Sequence, residues 1–136
     1  MTRRVLALLV LVLGLTVATA VPALAGSPHF VDDQTKFSQT GDTLTVVFKE
    51  AGLGDEAQVS YELTAQFQCV NPGGNDPQAG NKQTVTAAVT LPVQNGQVSG
   101  SLSVTAVFKP SCSPPMSVVV LSGSLTDTTH GISLTL

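Results

Sequence analysis

The residues able to do chemistry are few, and they are scattered. His29 and His130 are the two histidines. His130 follows Asp127 by three positions in the segment Asp127-Thr128-Thr129-His130-Gly131. An imidazole beside a carboxylate becomes a general base when a serine hydroxyl is held against it. Serines are plentiful, but no G-x-S-x-G elbow occurs. Asp-x-x-His in a short polar segment is therefore read as turn chemistry. Asp55, Glu56 and Glu62 offer paired carboxylates of the kind glycosidases use. Glu62, however, falls on the polar face of a strand, where a solvated acid is expected. No catalytic residue is assigned, and the expectation is a protein that is not an enzyme.

The cysteines and one polar loop complete the reactive set. Cys69 and Cys112 are too far apart for a redox C-x-x-C, and two thiols alone make a poor zinc set. In an oxidising compartment an even pair reads as a disulfide. Closing a loop of about 44 residues stabilises by about 4 kcal/mol on the chain-entropy model. The loop Asn71-Pro72-Gly73-Gly74-Asn75-Asp76-Pro77-Gln78-Ala79-Gly80-Asn81 gathers oxygen ligands at Asn71, Asn75, Asp76 and Asn81. Calcium takes such oxygens. Only Asp76 of the four carries charge and no D-x-D-x-D run appears, so turn chemistry accounts for them. No metal and no cofactor is expected.

The elements that must position these residues are strands. From Ala57 to Cys69 the chain alternates without a break. Val59, Tyr61, Leu63, Ala65, Phe67 and Cys69 share one parity, and Gln58, Ser60, Glu62, Thr64, Gln66 and Gln68 the other. Successive strand side chains face opposite ways, so one face is buried and one is wet. The same alternation marks Thr43 to Lys49, Gln83 to Leu91, Gln97 to Phe108 and Ile132 to Leu136. Phe30-Val31 starts a first short strand. The apolar run Val118 to Leu121, within Met116 to Leu125, predicts a strand buried on both faces. Asn95-Gly96 predicts a hairpin turn pairing the strands on either side. No segment beyond residue 25 shows a sustained helical period. Six or seven strands with serine and threonine on their outer faces predict two antiparallel sheets packed face to face, with a small closed barrel as the alternative. Phe30 and Phe37 are the rings left for an exposed sugar-stacking surface.

The N-terminus reads as an export signal. Arg3 and Arg4 precede an apolar run from Val5 to Val21, and Ala23-Leu24-Ala25 closes it. That run is short for a spanning helix. Cleavage after Ala25 makes residues 1–25 a signal peptide and residues 26–136 a single domain. The 111 residues that remain carry four lysines against nine acids, a net charge of −5. With no basic cluster, nucleic acid and anionic membrane are disfavoured as partners. The expected setting is extracellular and soluble.

Two resemblances follow from local segments. Ser27-Pro28-His29-Phe30-Val31, the segment 49–56 (KEAGLGDE), the segment 69–75 (CVNPGGN) and the segment 110–116 (PSCSPPM) resemble those of small secreted actinobacterial proteins; this implies a family and no activity. The segments 40–46 (TGDTLTV), 51–54 (AGLG) and 95–102 (NGQVSGSL) are distantly similar to the neocarzinostatin-type apoproteins. That resemblance implies an immunoglobulin-like sandwich of about seven strands and, as a second functional reading, a carrier of an apolar small molecule. If Cys69 and Cys112 pair, the polar loop and the proline-rich segment 110–115 meet at one end of the sandwich. Loops gathered on a rigid scaffold are where such folds bind. The expected binding residues are Asn71, Asn75, Asp76, Asn81, Lys82 and Lys109, contacting an extracellular protein or a small molecule.

Overall fold

The computed structural model describes residues 26–73 and 81–136, so the proposed signal segment lies outside the described residues. Alternation on the 57–69 stretch becomes the strand at the centre of the molecule, β4 (Gln58–Val70). Around it run β1 (His29–Phe30), β2 (Lys36–Thr40), β3 (Thr43–Ala51), β5 (Lys82–Pro92), β6 (Gln97–Thr105), β7 (Ser117–Asp127) and β8 (Ile132–Thr135). These eight strands, among the described residues, form two antiparallel four-stranded sheets. In one, β3 pairs with β6 on one side and with β1 and β2 on the other. The second has the order β5-β4-β7-β8. The chain is thus all-β, a two-sheet sandwich closed by one disulfide, Cys69–Cys112. No helix among the described residues is long and apolar enough to cross a membrane.

The core is the sum of the inward parities. Leu44, Val46 and Phe48 of β3 and Val98, Leu102 and Val104 of β6 meet Val59, Tyr61, Leu63, Ala65 and Phe67 of β4 and Leu125 of β7. Each large apolar side chain so buried contributes about 1.5–3 kcal/mol. Leu53, from the loop between β3 and β4, plugs one end and is fully buried. Three rings of the same cluster pack together. Phe48 and Tyr61 have centroids 4.6 Å apart, and Phe30 lies 6.2 Å from Phe48 and 6.5 Å from Tyr61. Phe30 and Phe37 both pack against the core, so neither is left as an exposed ring.

The outer faces explain the serine and threonine content. Directly opposed pairs bond hydroxyl to hydroxyl: Thr43–Thr105 and Thr45–Ser103 at 2.8 Å, Ser60–Thr90 at 2.8 Å, Thr64–Thr86 at 3.2 Å and Thr126–Ser133 at 2.9 Å. Cross-strand pairs of this kind contribute about 0.2–1 kcal/mol each.

The structure departs from the pattern in three places. First, β2 was not expected: Phe37 is its only large apolar residue, and its backbone pairs along one edge of β3. Gln39 ties that edge to the other sheet, donating to Val118 O (2.9 Å) and accepting from Val120 N–H (3.3 Å). Second, Asn95-Gly96 does make a tight turn, with φ of 53° and 71° and a Gln94–Gln97 bridge. Yet β5 and β6 belong to different sheets, so the turn carries the chain across the sandwich instead of pairing its flanks. Third, Val118, Val119 and Val120 are half-buried and Leu121 is exposed. The apolar run marks a bulge, not double burial. Gln66 opposes Ser122 while Phe67 opposes Val120, which leaves Leu121 as the extra residue. The inward parity therefore switches from Val118 and Val120 to Gly123, Leu125 and Asp127.

Candidate functional site

The disulfide organises one end of the sandwich. Cys69 is inward-facing near the end of β4, and Cys112 sits in the connection that carries the chain from β6 to β7. Their bond, with Cα atoms 5.8 Å apart, anchors that connection beside the segment following β4. Asn71 is exposed there, Asn81 is half-buried and Lys82 is exposed at the start of β5, where it opposes Gln68. The β6–β7 connection is also tied to β5, because Val107 N–H donates to Gln83 Oε1 (2.6 Å). Lys109 is exposed on the same connection. Asn75 and Asp76 lie outside the described residues. The structure thus brings Asn71, Asn81, Lys82 and Lys109 to the end that holds the cystine. An open groove continues from it between Gln39, Asp42, Cys112 and Met116.

The opposite end holds a group of ionisable side chains. Tyr61 and Cys69 are eight residues apart on β4, or about 26 Å at the rise of a strand. Glu50 is next to last in β3 and continues the inward parity of Leu44, Val46 and Phe48. Asp127 closes β7, inward after Leu125, with Tyr61 directly opposite. Glu50 and Asp127 are fully buried.

The turn after β7 then folds back over the start of β4. Asp127 Oδ1 accepts from Thr129 N–H (2.7 Å) and His130 N–H (3.1 Å). Thr128 N–H donates to Ser60 O (2.9 Å), and Ser60 N–H donates to Thr129 Oγ1 (3.0 Å). Gly131, at φ 72°, completes the turn, its N–H donating to Asp127 O (2.9 Å). A β-carbon at that φ is disfavoured, which is why glycine stands there. The turn points the His130 ring inward. Its Nδ1 contacts Asp127 Oδ2, and its Nε2 meets Glu56 Oε1 at 2.7 Å. Glu56 comes from the β3–β4 loop, where Glu56 N–H donates to Leu53 O (3.3 Å).

The electrostatics of this end are lopsided. Three carboxylates surround one imidazole, and the ion pairs among the described residues are the two that His130 makes. Neither Glu50 oxygen finds a donor in hydrogen-bonding geometry, nor does the Tyr61 hydroxyl find a partner. Burial pushes the Glu50 carboxyl up to about 7; the nearby Tyr61 hydroxyl opposes that and the Asp127 carboxylate adds to it. Burial, and then Glu50, push the Tyr61 hydroxyl upward as well. Burial disfavours the His130 charge, but its bonds to Asp127 and then Glu56 outweigh that and hold it above the ordinary histidine value. Both ring nitrogens face carboxylates, and among the described hydrogen bonds no serine hydroxyl reaches them. That is not the arrangement of a hydrolase triad.

Of the acids noted in the sequence, Glu56 joins this group, while Glu62 and Asp55 are exposed. His29 is exposed near the chain start, its Nδ1 on Ser27 O (2.8 Å). Sequence reasoning missed Glu50. The signal that marks it is parity: two positions beyond Phe48 on an alternating strand is inward again.

No family model, no curated protein and no solved structure matches this chain.

Proposed function

We propose that the chain is a secreted, extracellular binding domain, not an enzyme, and that it meets its partner through the disulfide-tied end. The contact surface in this reading comprises the 71–81 loop, the 110–115 segment, and Lys82 and Lys109 at the rim. One observation carries it: the Cys69–Cys112 bond anchors the irregular β6–β7 connection beside the segment that follows β4. A covalent tie that holds irregular backbone on a two-sheet scaffold reduces the ordering cost of binding. The mixed asparagine and lysine composition suits a polar surface of an extracellular partner. The experiment compares mature protein with a variant whose residues 71–81 are replaced by a glycine-serine linker. Both are immobilised and challenged with culture fluid and cell-wall extract of the producing organism. Retention of a defined component by the parent and its loss in the variant, with matched thermal melts, supports the reading. Equal retention by both removes it.

A further inference from the structure

We propose that Glu50, Asp127 and His130 form a site for one divalent transition-metal ion of the zinc type. This site is separate from the disulfide-tied end and does not depend on the function proposed for that end.

Three observations carry the assignment. One imidazole nitrogen and one oxygen from each of two carboxylates lie within 4.8 Å of one another. Zinc–ligand bonds of about 2.0–2.2 Å set ligand atoms roughly 3–3.5 Å apart, so small side-chain rotations close the set. Next, Glu50 is fully buried, aims into the cluster, and has both oxygens without a donor. Natural structures rarely leave a buried carboxylate so; the Tyr61 hydroxyl beside it can supply one donor, and a cation would satisfy the remaining oxygen together with Asp127. Finally, the surroundings already hold the ligands as metal sites hold theirs. Glu56 Oε1 holds His130 Nε2 as a donor, while Nδ1 faces Asp127 Oδ2 inside the group, so a bound ion takes the place of the proton shared there. Thr129 and His130 N–H groups fix Asp127 through Oδ1 and leave Oδ2 toward the cluster.

The donor set selects the ion. An imidazole disfavours calcium and magnesium, which take oxygen. Two carboxylates without a thiolate disfavour copper(I) and favour zinc and its divalent neighbours. Three protein ligands leave a position for water. The half-exposed His130 and Glu56 lie on the solvent side of the group, under the β7–β8 turn, and give the ion its way in.

Mature protein without a histidine tag, stripped with chelator, is titrated with zinc chloride in a calorimeter at pH 7.5 and with cobalt(II) in a spectrophotometer. One zinc per chain, visible cobalt bands displaced by zinc, and a melting temperature several degrees higher with excess zinc are expected. Glu50→Gln abolishes stoichiometric binding. Glutamine keeps the size of the side chain and a polar head toward Tyr61 and Asp127, so a cooperative melt of this variant in chelator shows that the lost binding is not lost folding. His130→Gln, at a partly exposed position, also abolishes binding. Glu56→Gln weakens it about 10–100-fold. His29→Ala leaves it unchanged. Absence of saturable binding, parent-like binding by Glu50→Gln, or loss of binding in His29→Ala overturns the assignment.

Discussion

Glu50 shows how much a single position can depend on partners far along the chain. Its inward direction was legible, since it extends the parity of Leu44, Val46 and Phe48. What was not legible is that Asp127, Tyr61 and His130 would meet it. That meeting is set by the packing of one sheet on the other and by the bulge that turns Asp127 inward, and local pattern contains neither. A glutamate near a strand end also has an ordinary alternative, which is to leave for solvent. The consequence at this scale is a pH dependence in metal-free protein. Glu50 is faced by Tyr61, Asp127 and His130, and its carboxyl is raised to about 7 from 4.5. The folded state therefore binds more protons than the unfolded state between those values, so stability falls as pH rises through them. His130, also raised, has the same sign: its contribution is full below the ordinary histidine value and is lost as pH rises through the folded one. In chelator, urea unfolding should show the protein roughly 2–3 kcal/mol less stable at pH 8 than at pH 5 on account of Glu50. Glu50→Gln should remove most of that slope. Equal slopes in parent and variant would exclude Glu50 as its source.

Strands were readable in proportion to their burial. β4 spans the middle of its sheet and its burial alternates as far as Phe67, so most of its inward face follows from residue type; Gln68, expected on the wet face, is instead buried beside the bulge opposite Gln66 and Phe67. β2 is an edge strand held by backbone pairing to β3, and backbone bonds leave no mark in composition. The Asn95-Gly96 turn has the backbone its residues demand, but which sheet receives each flank is decided by the core. The β3–β4 loop is also an element with a defined shape, since it delivers both Leu53 and Glu56. Gly52 begins it at φ 79°, and a β-carbon there would lie 2.3 Å from Ser27 O and 2.8 Å from Ser27 C. Those are backbone atoms and cannot swing aside. Gly52→Ala should therefore cost roughly 1–3 kcal/mol. Gly100→Ala should cost less: what it meets is side chain and not backbone, Leu91 Cδ1 at 2.4 Å, which can swing aside, and the Phe48 ring at 3.0 Å, which must give by a few tenths of an ångström. Urea midpoints at constant m-value measure both, and a reversed order would contradict the loop geometry described for β3–β4.

As a whole, the molecule is a sandwich with two unlike ends. The cystine that ties one of them spans 43 positions of sequence. Replacing both cysteines with alanine should lower stability by about 4 kcal/mol, read from urea unfolding. A loss below about 1 kcal/mol would mean that the sheets hold the β6–β7 connection without it. The other end presents buried acids about one strand length away. The central claim is that this end is a separate site for a cation, apart from the loops beside the disulfide. The most direct test is a titration of 15N-labelled, chelator-stripped protein with zinc, followed by amide chemical shifts. The account predicts saturable shifts at one equivalent for Glu50, Glu56, Tyr61 and residues 127–131, with Asn71, Lys82, Lys109 and Cys112 unmoved. Shifts centred on the disulfide end, or none up to several equivalents of zinc, would contradict it.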